Sequence, residues 1–179
     1  MAESVIVNQK IGPSGFENSQ GAKYEVQRTH NFEIRIHDIG NTEEEIALAI
    51  EQGFLPNITI DPIELPKGNR TVKVAGRPTF DNGSITVKDW IGVDMEKLIY
   101  DWMKKVYDPD TDKVGFASDY KKPATIIELS PDGSIERHWD LEGVWPTSVN
   151  FGTLDNGSAD KKTIEIQLAY DKISLGQRK

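Results

Sequence analysis

The residues best placed by type and spacing to do chemistry are Asp108, Asp110 and Asp112. Alternate carboxylates of this kind open the oxygen-ligand loops that bind calcium. The continuation departs from that pattern. The sixth position of such a loop needs glycine for a sharp turn, and here it is Lys113; the twelfth supplies a bidentate glutamate, and here it is the shorter Asp119. The segment therefore reads as a solvated acidic loop. The three histidines, His30, His37 and His138, show no metal-ligand spacing such as H-E-x-x-H. His37 beside Asp38 reads as a strand-end pair, and His138 as part of an alternating hairpin. Neither a G-x-S-x-G elbow nor a phosphate-binding G-x-x-x-x-G-K-[ST] is present. The four tryptophans are the residue type of a carbohydrate platform, but Trp102 falls on an apolar stripe and Trp90, Trp139 and Trp145 flank regular elements, so core or interface roles are expected. No catalytic, cofactor-binding or metal-binding residue is assigned and no cofactor is expected. The chain reads as a structural or binding protein rather than an enzyme.

Size and charge narrow this further. A chain of 179 residues is long enough for one domain with a real core. The formal charge of −8 argues against a binder that works through phosphate contacts, which needs clustered Lys and Arg. It fits a solvated surface, or one that repels polyanions. The absence of cysteine excludes disulfides and thiolate chemistry. No signal-peptide pattern and no membrane-spanning apolar run are seen, so a protein that stays in the cytosol unless carried elsewhere is expected. The Asn-x-Ser/Thr tripeptides at Asn57, Asn69, Asn82 and Asn156 are then read as turn residues.

One segment has clear helical spacing. In Val93 to Tyr107, residues Met95, Leu98, Ile99, Trp102, Met103 and Val106 share one face. Asp94 is the expected N-cap, Lys104 and Lys105 suit the carbonyl end, and Asp108-Pro109 is the stop. Fifteen residues make a rod of ~22 Å, enough to seal one face of a small domain.

The rest alternates at the strand period. Strands are expected at Asn31–Ile39, Arg70–Lys73, Ser84–Lys88, Pro123–Leu129, Ser134–Leu141 and Lys162–Lys172, and a short one at Ser4–Gln9. Asp81-Asn82-Gly83 and Ser130-Pro131-Asp132-Gly133 read as hairpin turns, and Asp155-Asn156-Gly157 as another turn. Pro56, Pro62 and Pro66 demote residues 57–66 to an edge or an extended loop. Asn41 to Gln52 fits two readings: capped helix by propensity, strand by the alternation of Ile46, Leu48 and Ile50. Gly, Pro, Ser and Asn break residues 11–23 and suggest an extended arm over residues 1–30, ahead of a β-domain at 31–179. Short strands separated by turns indicate a sandwich or barrel.

Two stretches then carry a family resemblance. Val72-Lys73-Val74-Ala75-Gly76-Arg77-Pro78-Thr79-Phe80 precedes the strand Ser84 to Val87, and Leu141-Glu142-Gly143-Val144-Trp145-Pro146-Thr147-Ser148-Val149 precedes the strand Thr163 to Tyr170. Both, in this order around a helix, resemble the tube proteins of contractile bacteriophage tails. The resemblance spans Asn31 to Lys172 and implies a β-sandwich closing toward a small barrel, flanked by one α-helix. It implies a structural subunit that forms hexameric rings stacked into a tube inside a sheath, with baseplate and tube-terminating partners. DNA would cross the lumen without sequence-specific binding, and a carboxylate-lined lumen would repel its backbone. The implied location is the virion tail, assembled in the host cytoplasm, with no membrane. The inner tube of a phage-derived injection device or bacteriocin is the alternative, and a carbohydrate-binding β-sandwich the distant one. The resemblance favours strand over helix for Ile46–Gln52 and sends the loop from Gly53 to Asn69 to the next ring. It also assigns Gly76 and Gly143 to backbone turns, and Trp145 and Pro146 to the turn before the last strand. The N-terminal arm is longer than the family core needs, and its composition suggests contact with a neighbour or the sheath.

Overall fold

A computed structural model describes residues 10–12, 15–17, 23–24, 27–39, 47, 49–131, 133–157 and 159–176. The chain divides into two units, Met1–Asn31 and Phe32–Lys179. In the first, β1 (Lys10–Gly12), β2 (Gly15–Glu17) and β3 (Lys23–Tyr24) form an antiparallel three-stranded sheet in which Ile11 pairs with Phe16 and Phe16 with Tyr24. The strand expected at Ser4–Gln9 lies outside the described residues.

The second unit is a nearly closed, barrel-like sheet. Its strands are β4 (Phe32–Ile36), β5 (Ile50–Gln52), β8 (Gly83–Lys88), β11 (Lys122–Leu129), β12 (Ile135–Asn150), β13 (Thr163–Ala169) and β14 (Lys172–Leu175). They run in the order β4-β11-β12-β13-β8-β5, with β14 also on β12. The edge strands approach each other where the chain leaves β5: a Cβ on Gly53 would lie within 2.3 Å of Ile34 on β4. Alternation fills the interior. Ile164, Ile166 and Leu168 of β13, Ile85 and Val87 of β8, Ile34 and Ile36 of β4 and Ile126 of β11 are all buried in one cluster. Helix α1 (Met95–Val106) contributes Met95, Ile99 and Trp102 to it. Each large side chain so buried contributes roughly 1.5–3 kcal/mol.

Helix α1 follows its sequence signals. Asp94 Oδ1 accepts from the Lys97 amide at 2.9 Å, and Lys104 and Lys105 occupy the last turn. At the other end, Gly115 N–H donates to the Val106 carbonyl at 3.0 Å, filling an acceptor the helix leaves open. β9 (Tyr107–Asp108) and β10 (Lys113–Val114) close the acidic loop into a small hairpin, and a one-turn helix, α2 (Ala117–Tyr120), follows.

Four expectations need correction. Ala47 and Ala49 are helical, so among the described residues of the strand expected at Ile46–Gln52 only Ile50–Gln52 are strand. Local helical propensity wins until the chain meets β8, where Ile50 pairs with Val87. Asp81-Asn82-Gly83 makes no hairpin, because β7 (Arg70–Phe80) pairs with β6 (Ile58–Lys67) while β8 pairs with β13 and β5. Of the two readings of the proline-rich stretch the edge strand holds: it forms β6, which corrects the loop implied for Gly53 to Asn69. In a two-stranded ladder every strand is an edge, so Pro62 and Pro66 can turn their missing N–H outward. Trp145 and Pro146 form no turn. They lie inside β12, paired with Ala169 and Leu168, and the irregularity is a bulge between Pro146 and Ser148.

Candidate assembly surface

The β6–β7 hairpin stands apart from the barrel sheet as its own two-stranded ladder. Its two-residue loop, Gly68-Asn69, has Gly68 at φ +63°, the positive-φ first position of a type II′ turn. This Gly-Asn pair between alternating apolar runs was the overlooked sign of a hairpin. Ten extended residues in β6 make an arm of about 33 Å. Every β6 residue is exposed. Ile58, Ile60, Ile63 and Leu65 on β6, with Val72 and Val74 on β7, leave large apolar side chains about half in solvent. So long a run of exposed apolar residues on a free ladder marks a protein-interaction surface.

The root of the hairpin is fixed. Phe54 stacks on Tyr170 at 6.0 Å between ring centroids, and Phe80 lies at 5.8 Å from the same ring. Tyr170 Oη accepts from the Asn57 amide at 3.1 Å, and burial pushes the phenol pKa up. Asp81 receives the Asn57 side-chain amide at 2.5 Å and the Thr59 hydroxyl at 3.3 Å. Within the arm Ile60 pairs with Pro78, but Pro62 pairs with Ala75, so Gly76 and Arg77 together oppose Asp61. Gly76 has no positive φ. Its role is close approach, since a Cβ there would meet the Asp61 carbonyl oxygen at 2.3 Å.

Gly143 has φ +71° but makes no chain turn, since it lies inside β12. On one side of it Glu142 pairs with β14; on the other Trp145 pairs with β13. Trp102 Nε1 donates to the Tyr120 carbonyl at 2.8 Å, and the Tyr120 ring meets Trp145 edge-on at 5.6 Å. Helix α1, helix α2 and strand β12 are thus joined by three aromatic residues. Trp139 is half-buried, with Nε1 donating to Glu128 at 3.1 Å. Of the four tryptophans only Trp90 is exposed, so they do not line up as a platform.

The acidic loop is occupied by its own neighbours. Lys104 Nζ lies 2.5 Å from Asp110 and 3.4 Å from Asp108, while Tyr107 donates to Asp112 at 2.6 Å. Partial burial raises the Asp108 pKa, but hydrogen bonds from Thr111, the Asp110 amide and Lys104 outweigh it and the carboxyl is held low. Lys104 is raised, chiefly by its bond to Asp110. Among the described residues no group of three or more His, Cys, Asp or Glu converges as a metal site. His37 Nε2 is 3.3 Å from the Thr125 hydroxyl, and His138 is 3.6 Å from Asp140; His30 is exposed. Another cation, Lys162, bridges Asp89 at the end of β8 to Glu96 in the first turn of α1, which raises its pKa.

Charge is divided unevenly between arm and body. Residues 58–80 hold four Lys or Arg against two Asp or Glu, a net +2, which leaves −10 on the remaining chain. No helix among the described residues is long and apolar enough to cross a membrane.

Comparison with known proteins places this architecture. The chain is similar to tail tube protein gp19 of Enterobacteria phage T4 and of phage T6, each 26% identical over 147 residues, covering 80% of this chain and 88% of the relative. In structure it resembles the anti-feeding prophage tube-terminating cap (TM-score 0.68, 19% identity, 88% of this chain and 95% of that one). It also resembles a chain of the sheath–tube complex of an extracellular contractile injection system in its extended state (TM-score 0.66, 21% identity, 88% and 96%). The family described as T4-like virus tail tube protein gp19 matches residues 28–174, and the chain belongs to that family.

Proposed function

We propose that this protein is a structural subunit of a contractile tail's inner tube. Copies close into hexameric rings, the rings stack within a sheath, and DNA crosses the lumen during ejection. The observation that supports this reading is the rooted, apolar, solvent-exposed β6–β7 hairpin, an arm of about 33 Å available to a neighbouring copy. The acidic body supports the lumen assignment, because fixed negative charge keeps a phosphate backbone from adhering. The role is scaffolding rather than catalysis, with sheath, baseplate and tube terminator as partners. Its place is the virion tail, after assembly in the host cytoplasm. The unit Met1–Asn31 is assigned to contact with a neighbouring subunit or the sheath; normal-length, sheathed tubes from a chain lacking it would remove that role.

The likeness to an extracellular contractile injection system favours a second reading, the same tube carrying protein cargo. Both readings require assembly, which negative-stain electron microscopy over a concentration series, with light scattering, tests directly. Rings or hollow tubes with six-fold end views are expected. A chain that stays monomeric even with a baseplate template would overturn both.

A further inference from the structure

The apolar surface of the β6–β7 hairpin changes face halfway along its length. Residues directly opposite in an antiparallel pair share a face, and neighbours along a strand alternate. Near the root, Ile58 with Phe80 and Ile60 with Pro78 lie on one face. Toward the tip, Ile63 with Val74 and Leu65 with Val72 lie on the other. On β6 alone the apolar positions move from even to odd numbers. On β7 they stay even, and the extra residue at Gly76–Arg77 carries them across. At the tip end the root face carries the Glu64–Lys73 pair, 3.1 Å apart, between Pro62–Ala75 and Pro66–Thr71.

We infer that the two halves of the hairpin are separate contact surfaces, covered by two different copies of this chain, with the extra residue at Gly76–Arg77 keeping the β7 side chains in step with the change of side on β6. A single partner on the tip face would cover four of the six exposed apolar side chains; one on the root face would cover only two and would desolvate Glu64 and Lys73. Two partners on opposite faces cover all six. The occupant is another copy of the chain because the charges complement each other. Lys67, Arg70, Lys73 and Arg77 give the hairpin its net +2, while the rest of the chain carries −10. The inference rests on the tube reading above and adds the division of the arm between partners.

The test compares full-length parent, Ile60→Ser on the root face and Leu65→Ser on the tip face. All are followed by sedimentation velocity and negative-stain microscopy. Ile60 and Leu65 are 52% and 48% exposed, so both substituted chains should keep the parent's circular dichroism and melting temperature. Each substitution is expected to raise the concentration needed for assembly at least tenfold and to arrest it at a different species. Arrest of both substitutions at one common species, or loss of assembly in only one, would each overturn the inference. A parent that never assembles would instead remove the functional reading, and the inference with it.

Discussion

Gly76 and the Asp61 carbonyl are in contact at a distance no other residue would permit: a Cβ on Gly76 would lie 2.3 Å from that oxygen. The obstacle is backbone, so it cannot rotate away as a side chain would. Gly76→Ala should therefore distort the outer half of the hairpin by an overpacking strain of about 1–3 kcal/mol. The barrel is built from other strands and should not feel it. The expected result is an unchanged melting temperature, faster amide exchange from Ile63 to Val74, and weaker self-assembly. A variant with parent-like exchange would show that the close approach has no structural role.

The Trp102 indole couples burial to a hydrogen bond. It is 1% exposed and donates to the Tyr120 carbonyl. Trp102→Ala should lower unfolding free energy by about 3–5 kcal/mol through the cavity it leaves. Trp102→Phe restores much of the volume but not the N–H, so a smaller loss of about 1–3 kcal/mol is expected from the unpaired carbonyl. Equilibrium urea denaturation distinguishes them. Equal stability of parent and alanine variant would mean that the helix face is wrongly placed.

These cases show what sequence can and cannot reveal here. Alternation was decisive where one face is fully buried, as in Ile164, Ile166 and Leu168, and helical spacing was decisive for Met95, Ile99 and Trp102. Legibility failed where a strand contains residues that usually end one. Gly143 and Pro146 look like breakers, yet β12 runs through both as a single sixteen-residue strand. Prolines left β6 open between edge strand and loop for the same reason. The Gly-Asn loop that closes it was overshadowed by Asp81-Asn82-Gly83, a stronger hairpin signal that joins strands of different sheets. Strand β14 went unseen because Lys172–Leu175 is four residues long and pairs with the distant β12. The candidate surface was visible only as a reach toward a neighbour; its two faces depend on register, which composition does not encode.

Gly143 lies where β12 changes partners, and both its conformation and its surroundings demand glycine. Its φ of +71° is costly for residues with a Cβ, by roughly 1–2 kcal/mol. An added Cβ would also sit 2.3 Å from Asp171 Oδ2. That carboxylate can swing aside, at the expense of its 2.5 Å contact with Lys121. An exposed pair of this kind adds less than about 1 kcal/mol. Gly143→Ala should thus destabilise mainly through backbone strain, and Asp171→Ala in the same background should recover little. Calorimetry of the two single variants and the double variant measures this, and full rescue by Asp171→Ala would show that the clash, not φ, dominates.

The loop at Asp108 provides a pH dependence with a definite sign. Its carboxyl titrates below the ordinary value of 3.8, where the hydrogen bonds from Thr111, the Asp110 amide and Lys104 prevail over burial. A group depressed in the folded state stabilises it above the unfolded pKa, and that contribution disappears as pH falls through the folded value. Lys104 is shifted the other way, above 10.5, so its contribution persists through neutral pH and is lost only as pH rises through its folded value. The loop should therefore stay ordered across the neutral range and loosen in acid. Carboxyl carbon chemical shifts of Asp108, followed from neutral pH downward, should give a midpoint below 3.8. Lys104→Met should raise that midpoint toward 3.8, because one of the three hydrogen bonds is lost. Adding calcium at neutral pH should leave the shifts of Asp108 and Asp110 unmoved while Lys104 is present, since its ammonium already lies between the two carboxylates. A calcium-dependent shift in the parent would restore the loop as a metal site.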